Sequence, residues 1–483
     1  MTTNPSENVV AASGDRVPLV VNLEGTLVRA DLLLESIFVL MKKSPSQLFG
    51  LSGALATSPT WLRHQLAKQV VPDIAVLPYN QSLLAYLASE KQKGRALVLA
   101  ADADEIVARK VADQIGLFDM VFASDGTMDL AGSRKRDLLV ARFGERGYDF
   151  VGSDRADLPA WGSARKAIVV DPPPGLVNEV AKNTDIERVF AGRAGGVLDY
   201  LHALRVHHWL KNVLIFVPLA AAHQVHEVTL LADAMLAFVA FSLCASSVYL
   251  MNDLIDLSSD RRHPHKKDRP FASGQIPIAH GVGLIPLLLV GAGAIASQLP
   301  TGVLGALVLY CLTMLAYNLV LKNVPFLDGL VLAIGYALRV AAGAAAVEIS
   351  ASPWLLTVCL LLFFSLALLK RYAELVATRT RMGAIRSVRG YRSEQSNLVV
   401  TLGVACGLAA MVLLAVYTGI EQGHAPRHEF IWLFCVLLTQ WSGYLWIAAH
   451  RGRIRSDPVA FALCDRVSQV QGITMFLALL ISI

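Results

Sequence analysis

The chain is poor in charge for its length. Lys, Arg, Asp and Glu make up only 17% of 483 residues while 54% are apolar, too little polar surface for ordinary water-soluble domains of that size. Its six cysteines, Cys244, Cys311, Cys359, Cys406, Cys435 and Cys464, are scattered singly. That spacing supports neither a zinc site nor a disulfide framework and predicts buried free thiols. The opening stretch MTTNPSENVVAASGDR lacks the apolar segment of a secretory signal, so the N-terminal part is expected in the cytoplasm. There is no large basic excess either. A formal net charge of +5 calls for no nucleic-acid partner.

What the chain does have is long apolar runs, all in one part. Residues 1–195 have ordinary polarity, and from about residue 212 apolar runs alternate with short charged loops. The change falls near AGRAGGVLDY, residues 191–200, and predicts two domains, 1–195 and 196–483. A spanning helix needs about 20 mainly apolar residues. Nine segments reach or approach that length: roughly 208–224, 229–251, 278–297, 302–321, 326–346, 354–370, 397–418, 429–449 and 467–483. With the N-terminal domain inside, loops 252–277, 322–325, 370–396 and 450–466 face the cytoplasm. These loops hold seventeen Lys and Arg, against Arg427 alone on the other side. This is a positive-inside pattern, and it predicts a multi-pass protein of the cell inner membrane with a cytoplasmic N-terminal domain.

The second apolar run ends in SSVYLMNDLIDLSSDRRHPHKKDRPFASG, residues 246–274. Asp253, Asp256 and Asp260 are spaced i, i+3, i+7, which places three carboxylates on one helical face with Asn252 beside the first. Like charges in one stripe repel unless a cation sits among them, and hard oxygen ligands at a helix end suit Mg²⁺ bridged to substrate phosphates. The plainer alternative is a solvated helix end whose acids pair with Arg261, Arg262 and Lys266. Acids at a helix C-terminus oppose the dipole, and ionisable clusters at membrane depth are functional by default.

Asn-Asp-x-x-Asp-x-x-x-Asp resembles the first signature of the UbiA superfamily of intramembrane prenyltransferases, and the resemblance covers residues 200 to 483. LRVHHWLKNVLIFVPL (204–219), the acidic stretch, LKRYAEL (369–375) and DPVAFALCDRVSQV (457–470) look most like the decaprenyl-phosphate phosphoribosyltransferase branch. The resemblance implies a bundle of about nine transmembrane helices, an all-α membrane domain. It also implies transfer of 5-phosphoribose from phosphoribosyl pyrophosphate to a polyprenyl phosphate, with Asp253, Asp256 and Asp260 holding Mg²⁺. A second site is expected around YNLVLKNVPFLDGLVLAIGYALRV (317–340), with Tyr317, Lys322 and Asp328. Members that act on aromatic acceptors pair that acid with a second, where this chain has Leu332. Lys211, Lys322, Lys370 and Arg371, with Glu374 and Arg269 nearby, are the cations and partners expected to meet substrate phosphates.

The N-terminal part reads as alternating strands and helices, with strands expected at 18–23, 95–100, 118–122, 148–152 and 167–171. Helices are expected at 82–93, 104–115 and 133–144, a pattern that argues a doubly wound, Rossmann-like α/β fold. PLVVNLEGTLV (18–28) resembles the first motif of haloacid-dehalogenase (HAD) phosphatases, Asp-x-Asp-Gly-Thr, with Asn22 and Glu24 in place of the two acids. The segment 30–80 matches the position of a HAD cap. Of the other signatures, the hydroxyl position holds Ala101, the lysine is Lys135, and the acidic pair is represented by Asp157 in GSDRAD. An amide cannot serve as the carboxylate nucleophile, so a catalytically inactive HAD-like domain is expected.

Two rival functions remain at this stage. One is prenyl transfer from a polyprenyl diphosphate to an aromatic ring, which Leu332 opposes. The other is a non-catalytic lipid-binding scaffold, which the intact acids oppose. Lipid chain length and oligomeric state are open.

Overall fold

The computed structural model describes residues 17–44, 46–47, 59–192, 195–382, 390–421, 428–454 and 458–482. They form two compact units. The first runs up to Leu204 and takes in Tyr249–Ile285; the second comprises Arg205–Val248 and Pro286–Ile483.

The first unit is built on a parallel sheet of β1 (Leu19–Asn22), β2 (Leu97–Asp104), β3 (Met120–Ser124), β4 (Asp149–Gly152), β5 (Lys166–Val170) and β6 (Asp185–Phe190), in the order β3-β2-β1-β4-β5-β6. Helices α1 (Leu32–Lys43), α2 (Pro59–Gln69), α3 (Gln81–Gln92), α4 (Glu105–Ile115) and α5 (Ser133–Phe143) connect or cover it. Both faces are buried, as a parallel sheet requires. Leu19, Val21, Leu97 and Leu99 pack on one side, and Val20, Val98, Phe150 and Val169 on the other. The five expected strands are present. The sixth, DIERVF, had no apolar run to reveal it, because as an edge strand it is mostly exposed.

The expected cap region is helical, with α1, α2 and a 3₁₀ turn at Ile74–Val76; residues 48–58 lie outside the described part. Strand β2 extends to Asp104, four residues beyond the expected end. That extension places Ala101 in the apolar core and not at the strand tip.

The chain then enters α6 (Val228–Ile255) and α7 (Leu257–Arg262), followed by α8 (Ile278–Ala296), α9 (Thr301–Leu319), α10 (Leu327–Ala346), α11 (Pro353–Met382), α12 (Ser396–Glu421), α13 (His428–His450) and α14 (Arg466–Ser482). Among the described residues seven helices are long and apolar enough to cross a membrane: α6, α8, α9, α10, α11, α12 and α13. The expected first span is instead a 3₁₀ stretch, Val206–Phe216, and a short α-helix, Val217–Ala221, with Pro218 at the junction. The last, α14, has 17 residues. Large apolar side chains such as Val290, Leu312, Val412 and Phe476 are half or more exposed, a surface suited to lipid rather than water. Inside the second unit α10 is the most buried span. Gly343 permits its tightest approach, since a Cβ there would stand 2.0 Å from the Ile215 carbonyl oxygen.

Candidate functional site

Helix α6 carries Asn252 and Asp253 in its last turn and stops at Ile255. The expected single helical face is broken at Asp256, which caps α7 with φ −99° and ψ 11°. Helical bonds bridge the break: Asp256 N donates to Asn252 O at 3.0 Å, and Asp260 N to Asp256 O at 2.8 Å. The break divides the acids. Asp253 and Asp260, each 4% exposed, both accept from Nη1 of Arg269, at 3.0 and 2.5 Å. Lys266 Nζ lies 3.8 Å from Asp260. Asp256 instead accepts at 2.7 Å from Nζ of Lys42, in the last turn of α1.

Two carboxylates converging on one nitrogen enclose a point of positive charge with hard oxygen atoms, a donor set that suits Mg²⁺. Among the described residues no three His, Cys, Asp or Glu are grouped as a ready-made metal cluster. Asp256 would have to leave Lys42 to complete one.

In the second unit Asp328 lies in the first turn of α10 and is fully buried. Its Oδ2 accepts from Arg371 Nε at 2.5 Å and its Oδ1 from the Tyr391 hydroxyl at 2.6 Å. Arg371 Nη1 also donates to Glu374 at 2.8 Å. The Tyr391 hydroxyl accepts from the backbone of Phe326 at 2.7 Å, and Phe326 holds a left-handed φ of 65°. Burial first, then the bond to Asp328, push the Tyr391 hydroxyl well above its usual range, so it remains a donor.

A further polar knot surrounds Arg339. Its Nε donates to Asn212 Oδ1 at 2.6 Å and its Nη2 to the Tyr310 hydroxyl at 3.0 Å, while Asn212 Nδ2 donates to Ser242 at 2.9 Å. Tyr317 is buried, and Lys211, Lys322 and Lys370 are half-buried.

Asn22, Asp102, Lys135 and Asp157 gather at the ends of β1, β2 and β4. Buried Lys135 donates to Asn22 Oδ1 at 3.0 Å and lies 2.5 Å from Asp102 and 3.5 Å from Asp157. Burial lowers its affinity for a proton, but Asp157 and Asp102 raise it more, and the ammonium stays charged. Asn22 Nδ2 donates to Asp157 Oδ2 at 3.2 Å, so the amide is held inside the cluster. Strand alternation turns Asp102, not Ala101, toward the lysine. Glu24 accepts from the backbone of Leu32 at 2.7 Å and so holds the first residue of α1. The cavity beside it, lined by Glu24, Leu32, Ser36, Arg63 and Leu66, is about 20 Å³, room for a water and not for a phosphate ester.

Residues 213–480 match the UbiA prenyltransferase family. A protein named y4nM from Sinorhizobium fredii is 32% identical over 469 residues, covering 94% of this chain and 88% of its own. The chain belongs to the UbiA prenyltransferase family. A decaprenyl-phosphate phosphoribosyltransferase of Mycobacterium tuberculosis is 33% identical to this UbiA member over 284 residues, 57% of this chain and 90% of that one. A UbiA homolog from Archaeoglobus fulgidus, solved with GPP and Mg²⁺, aligns over 58% of this chain and 96% of its own at 18% identity and a TM-score of 0.46. A phosphoserine phosphatase structure aligns over 37% of this chain and 95% of its own at 15% identity and a TM-score of 0.26. The protein is thus a UbiA-type membrane transferase whose N-terminal part is a parallel α/β domain.

In this UbiA member several of the expected residues are gathered into clusters. Asp253 and Asp260 meet at Arg269; Asp328, Arg371 and Glu374 meet in the second unit; Asn22, Lys135 and Asp157 meet at the strand ends of the first unit. Lys42, Asp102 and Tyr391 were missed. Lys42 looked like an ordinary basic helix terminus, and its partner is 214 residues away, beyond any local spacing rule.

Proposed function

We propose that this transferase moves 5-phosphoribose from phosphoribosyl pyrophosphate to a polyprenyl phosphate at the cytoplasmic membrane face, releasing pyrophosphate. The observation that carries the reading is the state of Asp328. Both its oxygens are taken by Arg371 and Tyr391, and the partner acid is Leu332. One acidic cluster then remains for a metal, and the rest of the substrates' negative charge falls to Lys and Arg. That balance suits two phosphorylated substrates better than a prenyl diphosphate held between two metal-binding acid pairs. The related decaprenyl-phosphate phosphoribosyltransferases support a polyprenyl phosphate as the acceptor of a phosphoribosyl group.

The bond from the anomeric carbon to the pyrophosphate oxygen would break, its electron pair leaving with pyrophosphate. A lipid phosphate oxygen would form the new bond from the opposite face. Mg²⁺ held by Asp253, Asp260 and a released Asp256 would neutralise charge on the departing pyrophosphate. Asn252, Arg269, Lys211, Lys322 and Lys370 would bind phosphate oxygens, and the Tyr317 hydroxyl would orient the sugar. Arg371, fixed by Asp328 and Glu374, would offer a preorganised guanidinium. An apolar groove of about 270 Å³ between α10 and α11, lined by Ile334, Leu338, Ala341, Leu356 and Leu360, is suited to part of the isoprenoid chain.

The reading keeps the domains at residues 1–195 and 196–483, with nine crossings. Eleven 3₁₀ residues at about 2.0 Å each and five α-helical ones at about 1.5 Å each reach roughly 30 Å, so Val206–Ala221 would suffice for the first. The acidic loop then returns to the cytoplasmic side of the inner membrane.

The test is to incubate membranes with radiolabelled phosphoribosyl pyrophosphate and polyprenyl phosphate, with and without Mg²⁺, and extract the lipid. Mg²⁺-dependent label in the lipid phase is expected. Transfer only from a labelled prenyl diphosphate to an aromatic acceptor would replace this reading.

A further inference from the structure

The N-terminal domain has Asn22 where the resemblance to phosphatases would put the nucleophile, and its cap region is tied to the acidic motif by three ion pairs, two of them from α1. Glu35 of α1 makes a two-pronged pair with Arg261, at 2.6 and 2.9 Å, with both side chains only 5% exposed. Arg261 Nε also donates to the Ala272 carbonyl at 2.8 Å. Asp73 pairs with Arg262. Two turns beyond Glu35, Lys42 reaches Asp256 at 2.7 Å. The helix starts where Glu24, just after β1, receives the Leu32 amide, so the end of the central strand anchors the element that touches the membrane motif.

The buried Glu35–Arg261 pair fixes where α1 lies, since a planar fork on a carboxylate restricts both partners. The Lys42–Asp256 pair is of another kind. Its side chains are 41% and 18% exposed, so solvent screens it and it can exchange. An ammonium and a divalent ion compete for the same carboxylate.

We infer that Lys42 is a positioning residue of the transferase site: the N-terminal domain uses it to hold Asp256 away from Asp253 and Asp260, and thereby sets the affinity of the acidic motif for a divalent cation. The inference rests on the proposed role of the three acids. It gives the domain a function that needs no phosphatase chemistry.

The test is Mn²⁺ binding to the purified full chain in detergent, followed by electron paramagnetic resonance without substrate. Lys42→Met should bind Mn²⁺ roughly two- to fivefold more tightly than the wild type, the range set by an exposed ion pair. Lys42→Arg, which keeps the charge, should bind as the wild type does. In an Asp256→Asn background, Lys42→Met should produce no further change. Equal or weaker binding by Lys42→Met, or an effect that persists without Asp256, overturns the inference and leaves the transferase reading in place. A wild-type chain that binds no Mn²⁺ overturns the inference, and the label-transfer assay then decides the transferase reading by itself.

Discussion

Among the carboxylate–arginine clusters of the described residues, the one at Asp328 and the one at Asp253 and Asp260 differ in how deeply they are set. Asp328 and Arg371 are 0% and 2% exposed, and both oxygens of the acid are satisfied. Asp253 and Asp260 share an Arg269 that is 27% exposed, on a loop that also carries Lys266. A buried pair gains little from being an ion pair but loses heavily when one partner goes. A pair open to water is weak and exchangeable. The difference separates a cluster built to hold α10, α11 and the Tyr391 loop together from one able to trade a guanidinium for a metal ion.

The largest effect should come from the exchangeable cluster. Asp253→Ala should reduce transfer by roughly 10²–10³ or more, since it removes charge stabilisation that acts on the leaving group, while the thermal midpoint in detergent changes little. Retained activity would remove the acids from the mechanism. Arg371→Met should do the reverse, acting first on stability. It strands Asp328 in the interior at a cost of about 3–5 kcal/mol, read as a large fall in thermal midpoint. Arg371→Met combined with Asp328→Asn should recover part of that loss, because the uncompensated charge is gone.

Next in size is a pH effect in the N-terminal α/β domain. Burial first, then the nearby Asp31, push the Glu24 carboxyl up from 4.5 to about 7. The folded state therefore holds this proton more tightly than the unfolded chain. Its contribution to stability is fully present below pH 4.5 and is lost as pH rises to about 7. Glu24→Gln should flatten that slope, with a gain over the wild type at pH 8 relative to pH 4 of no more than about 3 kcal/mol. Unfolding of both proteins across this range, with parallel pH curves, would show that Glu24 does not titrate there.

Much of this architecture was legible in the sequence because it rests on local periodicity. Apolar runs marked the seven long spans, and alternation marked five of six strands. The spacing of the acids also anticipated that Asp253 and Asp260 come together, as they do at Arg269. The arrangement of all three was not legible: spacing i, i+3, i+7 predicts one continuous stripe, whereas the helix is interrupted at Asp256, whose carboxylate accepts from Lys42. The pairing of Asp102 with Lys135 was hidden for a similar reason. A strand boundary drawn at residue 100 hides the alternation that buries Ala101 and turns Asp102 to Lys135. The Tyr391–Asp328 bond and the α1 contacts join segments 63 to 226 residues apart, where periodicity carries no information.

The smallest predicted effect sharpens the comparison within two adjacent residues. Arg261 and Arg262 both leave α7 to meet acids of the cap region, but Arg261 is 5% exposed and Arg262 is 67% exposed. If depth governs the value of an ion pair, Arg262→Ala should cost less than about 1 kcal/mol. Arg261→Met should cost several times more, because Glu35 would be left buried without its fork and the Ala272 carbonyl without its donor. Limited proteolysis supplies an independent readout, since only the Arg261 variant should loosen α1. Equal losses from the two substitutions would mean that the contact is held by its exposed rim, and depth would no longer distinguish the two clusters.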